Sequence, residues 1–340
     1  MHYTYRNIND AFYGMVKGIT EGAIQTKTKS SRNGKVIKVN GPFTLTYTHP
    51  KERVLFNLVR DCNPFFHLYE SLWMLAGNND VKSLAYYNSN MKNYSDDGET
   101  FNGAYGYRWR HGMGYDQIDW IQNVLQTLPN DRRAVLQMWD GSETGFSDLI
   151  EGSRGCKDVP CNLAAVFDID GQDLNMTVFN RSNDLIWGML GANVVHFSIL
   201  QEYLASKLSK SVGQYHQISS NLHIYVDKWK GIEYLNPHEQ GIKDIRNYPQ
   251  SVSLVKNPNK FDEELKVFME DPEGVFTEPF IKHVAEPMCL AFRHHKERSY
   301  HLAMESLERV KSFDWKIAGQ NWIRKRCSKH KQKLYGNTTS

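Results

Sequence analysis

Two runs of β-forming residues, Ala165-Val-Phe-Asp-Ile169 and Leu174-Asn-Met-Thr-Val178, flank an Asp170-Gly171 pair. Branched and aromatic residues favour extended backbone and Asp-Gly favours a tight reversal, so this stretch predicts an antiparallel hairpin. The hairpin constrains the chain more than any other feature, because it returns Arg181 to the neighbourhood of Cys161. A cysteine attacks as its thiolate, and a fixed cation nearby favours that form. Cys161 and Arg181 therefore read as a candidate activated nucleophile. On these residues alone, a small buried thiol and an arginine on a sheet face remain the alternative.

Helical and extended patterns mix around this hairpin without regular alternation. Arg53 to Gly77 reads as mostly helical, interrupted near Asn63-Pro64, with Phe66, Tyr69, Leu72 and Trp73 as its apolar face and Gly77 as its stop. Asp116 to Leu128 and Val194 to Leu208 carry helical periodicity, and Ala134 to Trp139 reads as a strand. Gly141 to Asp158 is polar and glycine-containing, a long loop or insertion just ahead of Cys161. Asn236-Pro237, Pro249 and Asn257-Pro-Asn259 mark a change of character near residue 235. From Tyr300 the chain turns helical and basic, with Ala303, Leu307, Val310 and Ile317 as a packing stripe and Arg324-Lys325-Arg326, Lys329, Lys331 and Lys333 beyond. Such a tail can touch phosphate backbones, but a solvated helix end is the commoner use, and nucleic acid is not the expected partner.

Composition excludes several classes. With 340 residues, 40% of them hydrophobic, the chain can bury one large domain or somewhat more. A formal net charge of +3 creates no field that demands a polyanion. No apolar run is long enough to span a bilayer, and the first ten residues lack a signal-peptide core. Cys62, Cys156, Cys161, Cys289 and Cys327 are odd in number and irregularly spaced, with no Cys-x-x-Cys pair. They suggest neither a disulfide framework nor a metal site, and a reducing cytoplasm is the expected compartment.

Several polar blocks lie in unexpected surroundings. Glu70 sits inside the apolar stretch Leu68 to Leu75, so it faces either solvent or a site. Asn102-Gly-Ala-Tyr-Gly-Tyr-Arg-Trp-Arg110 suits a ligand-lining loop or an ordinary aromatic turn. Arg132-Arg133, immediately before a strand, suits a phosphate clamp or plain exposure.

Together these blocks resemble the thymidylate synthase family over about residues 30–230. The motifs that carry the resemblance are Glu70 in Glu-x-x-Trp-x-x-x-Gly, Tyr105 in Tyr-Gly-x-x-Trp-Arg, Arg132-Arg133, Pro160-Cys161, Arg181-Ser-x-Asp184, Asn193, and His223-Ile-Tyr225. The resemblance implies an α+β fold with a large mixed sheet flanked by helices. Residues 1–235 would form the catalytic domain, and residues 236–340 its end and a basic helical extension. It implies that Cys161 attacks C6 of a pyrimidine nucleotide, so that C5 can accept a one-carbon unit from 5,10-methylenetetrahydrofolate, with no metal. Arg181, Ser182 and Arg32 would hold the phosphate, while Arg132 and Arg133 would reach the other subunit's site in a homodimer. Glu70 would organise water for proton transfers at C5 and the folate. Tyr105 would help remove the C5 proton, Asp184 would hold the pterin, and His223 and Tyr225 would bind the 3′-hydroxyl. Asn193 would read the base: its amide matches the N3–H and O4 of uracil, which favours dUMP over dCMP.

Three departures from the synthase pattern bear on the second half of the reaction. Met91 stands where the synthases place a tryptophan that lines the folate-derived carbon; Asn162 replaces the histidine after the nucleophile; and the chain continues past the usual apolar terminus to Ser340. Each loosens control over water at C5, which favours 5-hydroxymethyl-dUMP, as in the family's phage hydroxymethylases. Ordinary dTMP synthesis is the chief alternative, followed by a dCMP hydroxymethylase and an inert nucleotide-binding relative. Asp184 to Asn193 is also one residue longer than the family pattern.

Overall fold

A computed structural model describes residues 1–229, 248 and 251–335. Asn236-Pro237, Pro249, the side chains of Lys331 and Lys333, and the terminal Asn337 to Ser340 lie outside the described residues. The chain forms two compact units, residues 1–53 with 70–235 and residues 54–69 with 236–340.

The first unit is built on two mixed sheets. Its strands are β1 (His2–Tyr5), β2 (Thr26–Ser31), β3 (Gly34–Val39), β4 (Phe43–Tyr47), β5 (Val135–Gln137), β6 (Asn162–Asp170), β7 (Asp173–Asn180), β8 (Asn183–Asp184), β9 (Ser211–Ser219) and β10 (Leu222–Tyr225). The larger sheet runs β1-β4-β9-β7-β6-β5 and the smaller β2-β3-β10-β8. The expected hairpin is β6–β7, with Ala165 opposite Val178 and Ile169 opposite Leu174. Its reversal falls one residue later than the sequence suggested. Asp170 pairs with Asp173, and Gly171, at φ +60°, takes the first turn position, where a side chain would be strained. Leu174, Met176 and Val178 of β7 are fully buried. The helix Asn193–Lys207 is buried nearly all round, as expected of a helix without a polar face.

The stretch from Arg53 to Gly77 is helical only over Pro64–Leu75. The turns before it have polar causes. Asn57 Oδ1 accepts from Arg60 N at 2.7 Å, and Asp61 adopts a left-handed φ of +53°. Asn63 Oδ1 then caps the helix by accepting from Phe66 N at 3.1 Å. Gly77 (φ +79°) ends it as expected: its N–H donates to Met74 O at 3.0 Å and that of Asn78 to Trp73 O at 3.1 Å, the paired bonds of a Schellman stop.

The described part of the second unit is mainly helical, with helices Pro258–Glu270, Glu286–Lys296, Tyr300–Glu308 and Phe313–Tyr335. Ala303, Leu307 and Val310 are core residues as the stripe predicted, but Ile317 is only half-buried. Trp315, Ala318, Trp322 and Ile323 carry the last helix instead. Part of the basic run is used internally. Arg326 Nη1 meets Asp61 Oδ1 at 2.5 Å with its guanidinium 3.6 Å over the Trp322 ring, and Lys325 Nζ lies 3.3 Å from Asp61.

Candidate active site

Cys161 follows Pro160 at the mouth of β6, and the hairpin does bring Arg181 back to it: Arg181 N donates to Cys161 O at 2.9 Å. The Arg181 guanidinium donates to Pro160 O at 2.7 Å and Val159 O at 3.0 Å, and its Cζ lies 5.7 Å from the centre of the Trp139 ring. It makes no ion pair among the described residues, so no carboxylate there cancels its charge. Tyr105 approaches from the other side. Its hydroxyl oxygen accepts the N–H of Cys161 at 3.1 Å and of Asn162 at 3.3 Å. With both lone pairs engaged, the phenol proton is left to point elsewhere. Burial foremost, then the charge at Cys161, pushes the Tyr105 pKa up and keeps that proton on. Phe197, with its ring 6.2 Å from that of Tyr105 and 5.8 Å from that of Trp109, fixes the tyrosine from the helix Asn193–Lys207.

The thiol itself differs from expectation. Arg181, and more weakly Arg32, favour the thiolate, but burial outweighs them, Asp158 adds its own charge, and the Cys161 pKa is raised. Desolvation of a charge exceeds the effect of a cation that is itself exposed. Asp158 lies three residues before the nucleophile. Its Oδ2 accepts Gly103 N at 2.7 Å, and burial pushes its carboxyl up to about 6. Arg32, in the turn between β2 and β3, reaches the same segment, with Nη1 3.5 Å from Cys156 O. Arg132 and Arg133 are both exposed ahead of β5, and Arg133 folds onto Asp131 at 2.6 Å. No contact among the described residues takes them to the thiol.

Glu70 faces inward. It is 8% exposed, and its Oε2 lies 2.8 Å from His196 Nε2, although the two are not aligned as a hydrogen bond. His196 stands three residues after Asn193 and so on the same helix face. Glu70 is thereby brought to the turn that Asn193 begins. Asn193 Nδ2 donates to Asn183 Oδ1 at 3.1 Å. Asp184 Oδ1 accepts from Ile186 N at 2.8 Å and Trp187 N at 2.6 Å, capping the segment between them. That segment, Leu185–Ala192, is a π turn kinked at Leu190 and Gly191. A π turn uses more residues per turn than an α turn, so the path from Asp184 to Asn193 takes up more residues than an α-helical one would. β10 lies parallel to β8 with His223 opposite Asp184, and the rings of His223 and Tyr225 meet edge to face at 5.3 Å. Ser182 sits half-buried between Arg181 and Asn183. Met91 is half-buried in the 3-10 turn Ser89–Asn93, and among the described residues no hydrogen bond or ring contact joins it to Cys161.

The two other arginines of the loop at 102–110 are not ligand groups. Arg108 is fully buried and bonded to Asp148, in the short helix Asp148–Ser153, at 2.6 and 2.9 Å. Arg110 bonds Asp116 at 2.9 Å and Tyr203 at 3.1 Å. The polar segment 141–158 is thus pinned by a buried ion pair. His196, Asn183, Asp158 and Asp148 were missed by sequence reading. Only Asp158 carried a signal, a carboxylate close in sequence to the candidate nucleophile.

The protein-family model described as Thymidylate synthase matches residues 11–258. The chain belongs to the thymidylate synthase family. A relative from Pseudomonas phage M6, named deoxyuridylate hydroxymethyltransferase, is 42% identical over 94% of this chain and 93% of its own length. One of the same name from Bacillus phage SP01 is 38% identical over 58% of this chain and 52% of its own. A thymidylate synthase from Corynebacterium aurimucosum is 27% identical over 64% of this chain and 79% of its own. The family's fold, a mixed sheet flanked by helices, is the one observed here. No helix among the described residues is long and apolar enough to cross a membrane.

Proposed function

We propose that this family member transfers a one-carbon unit to C5 of dUMP and releases 5-hydroxymethyl-dUMP. The observation that carries the reading is end-to-end similarity to a phage deoxyuridylate hydroxymethyltransferase, at 42% identity over 94% of the chain. The site supports it. Asn162, beside the nucleophile, is fully buried, and neither end of its amide has a partner among the described residues. Glu70 Oε2 is buried without a hydrogen bond as well. Unpaired buried polar atoms are costly, and they fit a substrate, a folate or a held water.

In this reading Arg181, Ser182 and Arg32 bind the phosphate, Asn193 the uracil edge, and His223 with Tyr225 the 3′-hydroxyl. Cys161 adds to C6, which makes C5 nucleophilic. Bound 5,10-methylenetetrahydrofolate supplies the electrophilic carbon, with Asp184, Glu70 and Met91 as its neighbours. Tyr105 assists loss of the C5 proton through its hydroxyl, already fixed by two backbone N–H groups. Breaking of the bond between the transferred carbon and the folate nitrogen would release tetrahydrofolate and leave an exocyclic methylene on C5; water held near Glu70 and Asn162 would add to that methylene, and the Cys161–C6 bond would then break to free the enzyme. The raised thiol pKa is consistent with a nucleophile that becomes reactive once a nucleotide places Arg181 and the base against it. Arg132 and Arg133, exposed and apart from this chain's thiol, would complete the phosphate site of a second copy. The enzyme would then work as a homodimer in the host cytoplasm.

Mass spectrometry of the product from dUMP and 5,10-methylenetetrahydrofolate tests the reading. The expected product exceeds dUMP by CH2O, with tetrahydrofolate released. A product heavier by CH2 alone, with dihydrofolate formed, overturns it.

A further inference from the structure

Asparagine does not by itself choose between uracil and cytosine. Uracil needs Oδ1 against its N3–H and Nδ2 against O4; cytosine, with a bare N3 and an N4 amino group, needs the same amide turned over. Discrimination requires something that stops Asn193 from turning. The structure holds a candidate in a chain of amides behind it. Asn193 Nδ2 gives one of its protons to Asn183 Oδ1 at 3.1 Å. Asn183 Nδ2 faces Gln217 Oε1 and Ser219 Oγ, both at 3.3 Å. Gln217 Nε2 donates to the backbone carbonyl of Met189 at 3.1 Å. Asn183, Gln217, Ser219 and Met189 are all buried, so water does not substitute for a lost partner.

The direction of this chain is set at its far end. An amide can present either end to another amide, but a backbone carbonyl only accepts. Met189 O, which also accepts Tyr47 Oη at 3.0 Å, therefore requires the nitrogen of Gln217. Gln217 must then offer its oxygen to Asn183, and Asn183 its oxygen to Asn193. Turning Asn193 over would set two amide oxygens against each other, and relieving that conflict by turning Asn183 and Gln217 would move it to Met189. Close approach is built in as well. A Cβ at Gly188 would drive into Asn183 Oδ1 and crowd Asn193 Nδ2 at 3.2 Å.

We propose that Asn183 and Gln217 are specificity-determining residues: anchored on the Met189 carbonyl, they lock the Asn193 amide in the orientation that reads uracil and rejects cytosine. The inference rests on Asn193 facing the base, as in the function proposed above. Neither residue touches substrate; both act through Asn193.

The test is the ratio of kcat/KM for dUMP to kcat/KM for dCMP, in the wild type, in Gln217→Met and in Asn183→Leu. Gln217→Met keeps the volume but releases Asn183 from the Met189 anchor, and Asn183→Leu removes the partner of Asn193. The wild type prefers dUMP, and in both variants the ratio falls by at least about tenfold. A folding defect lowers both rates together and leaves the ratio alone. If one variant fails to accumulate, the other decides, with Gly188→Ala, which pries the two asparagines apart, read in the same way. An unchanged ratio in a dUMP-preferring enzyme overturns the lock and leaves the proposed function standing. A wild type that prefers dCMP overturns the assignment of Asn193 and the lock with it.

Discussion

Arg108 has all five of its N–H donors engaged inside the fold, on Asp148, Met138 O and Asn102 O. Arg181 has two engaged, both on backbone carbonyls. One guanidinium is neutralised by a carboxylate and sealed from solvent; the other is exposed, with its charge uncancelled. A buried cation must be paired to be tolerated, whereas an exposed one held only by carbonyl dipoles keeps its charge for an anion that arrives later. Both arginines follow an aromatic or polar run in the sequence, and only the folded partners separate the one locked into the interior from the one proposed to bind phosphate.

The same substitution at both positions gives the largest contrast. Arg108→Met strands the Asp148 carboxylate in the interior and is expected to cost about 3–5 kcal/mol in urea unfolding. Arg181→Met is expected to leave unfolding within about 0.5 kcal/mol of wild type while raising the KM for the nucleotide roughly ten- to a hundredfold. Equal losses of stability at the two sites would erase the distinction.

A smaller effect tests what Arg181 does to the thiol. The pH profile of iodoacetamide inactivation of the ligand-free enzyme should report a Cys161 midpoint above the ordinary thiol value, because burial raises it. Arg181→Met should move the midpoint further up and Asp158→Asn should move it down, each by about a unit or less. A wild-type midpoint below the ordinary value would mean that the cation, not burial, governs the thiol.

The smallest effect concerns Asp158 alone. Its folded pKa is raised from 3.8 to about 6, so between those values the native state holds a proton that the unfolded chain has lost. Stability therefore falls as pH rises through this window and is level above it. Asp158→Asn should flatten the dependence of Tm on pH there by roughly a degree or two. An unaltered slope would show that the carboxyl is ordinary.

Sequence reading reached the parts of the site that local pattern controls. The β6–β7 hairpin, the return of Arg181 to Cys161, the stop at Gly77 and the family motifs were all legible, because turn chemistry and residue order carry them. The inward orientation of Glu70 was not, since His196, which it faces, lies 126 residues away on a helix buried nearly all round. The net direction of the Cys161 shift was not either: a nearby arginine is visible in sequence, but the desolvation that opposes it belongs to the packed fold. The run at 102–110 read equally as a ligand-lining loop or an ordinary aromatic turn, because Asp148 and Asp116 become partners of Arg108 and Arg110 only in the folded chain.

The π turn at Leu185–Ala192 has a consequence for anyone building chimaeras within the family. Removing one residue from this stretch would rotate each following side chain by roughly 100° about the axis. Gly188 would leave its place against Asn183 and Asn193, and the amide chain would lose its spacing. The transferable unit is therefore the whole span from Asn183 to Asn193 together with Gln217, moved as a cassette.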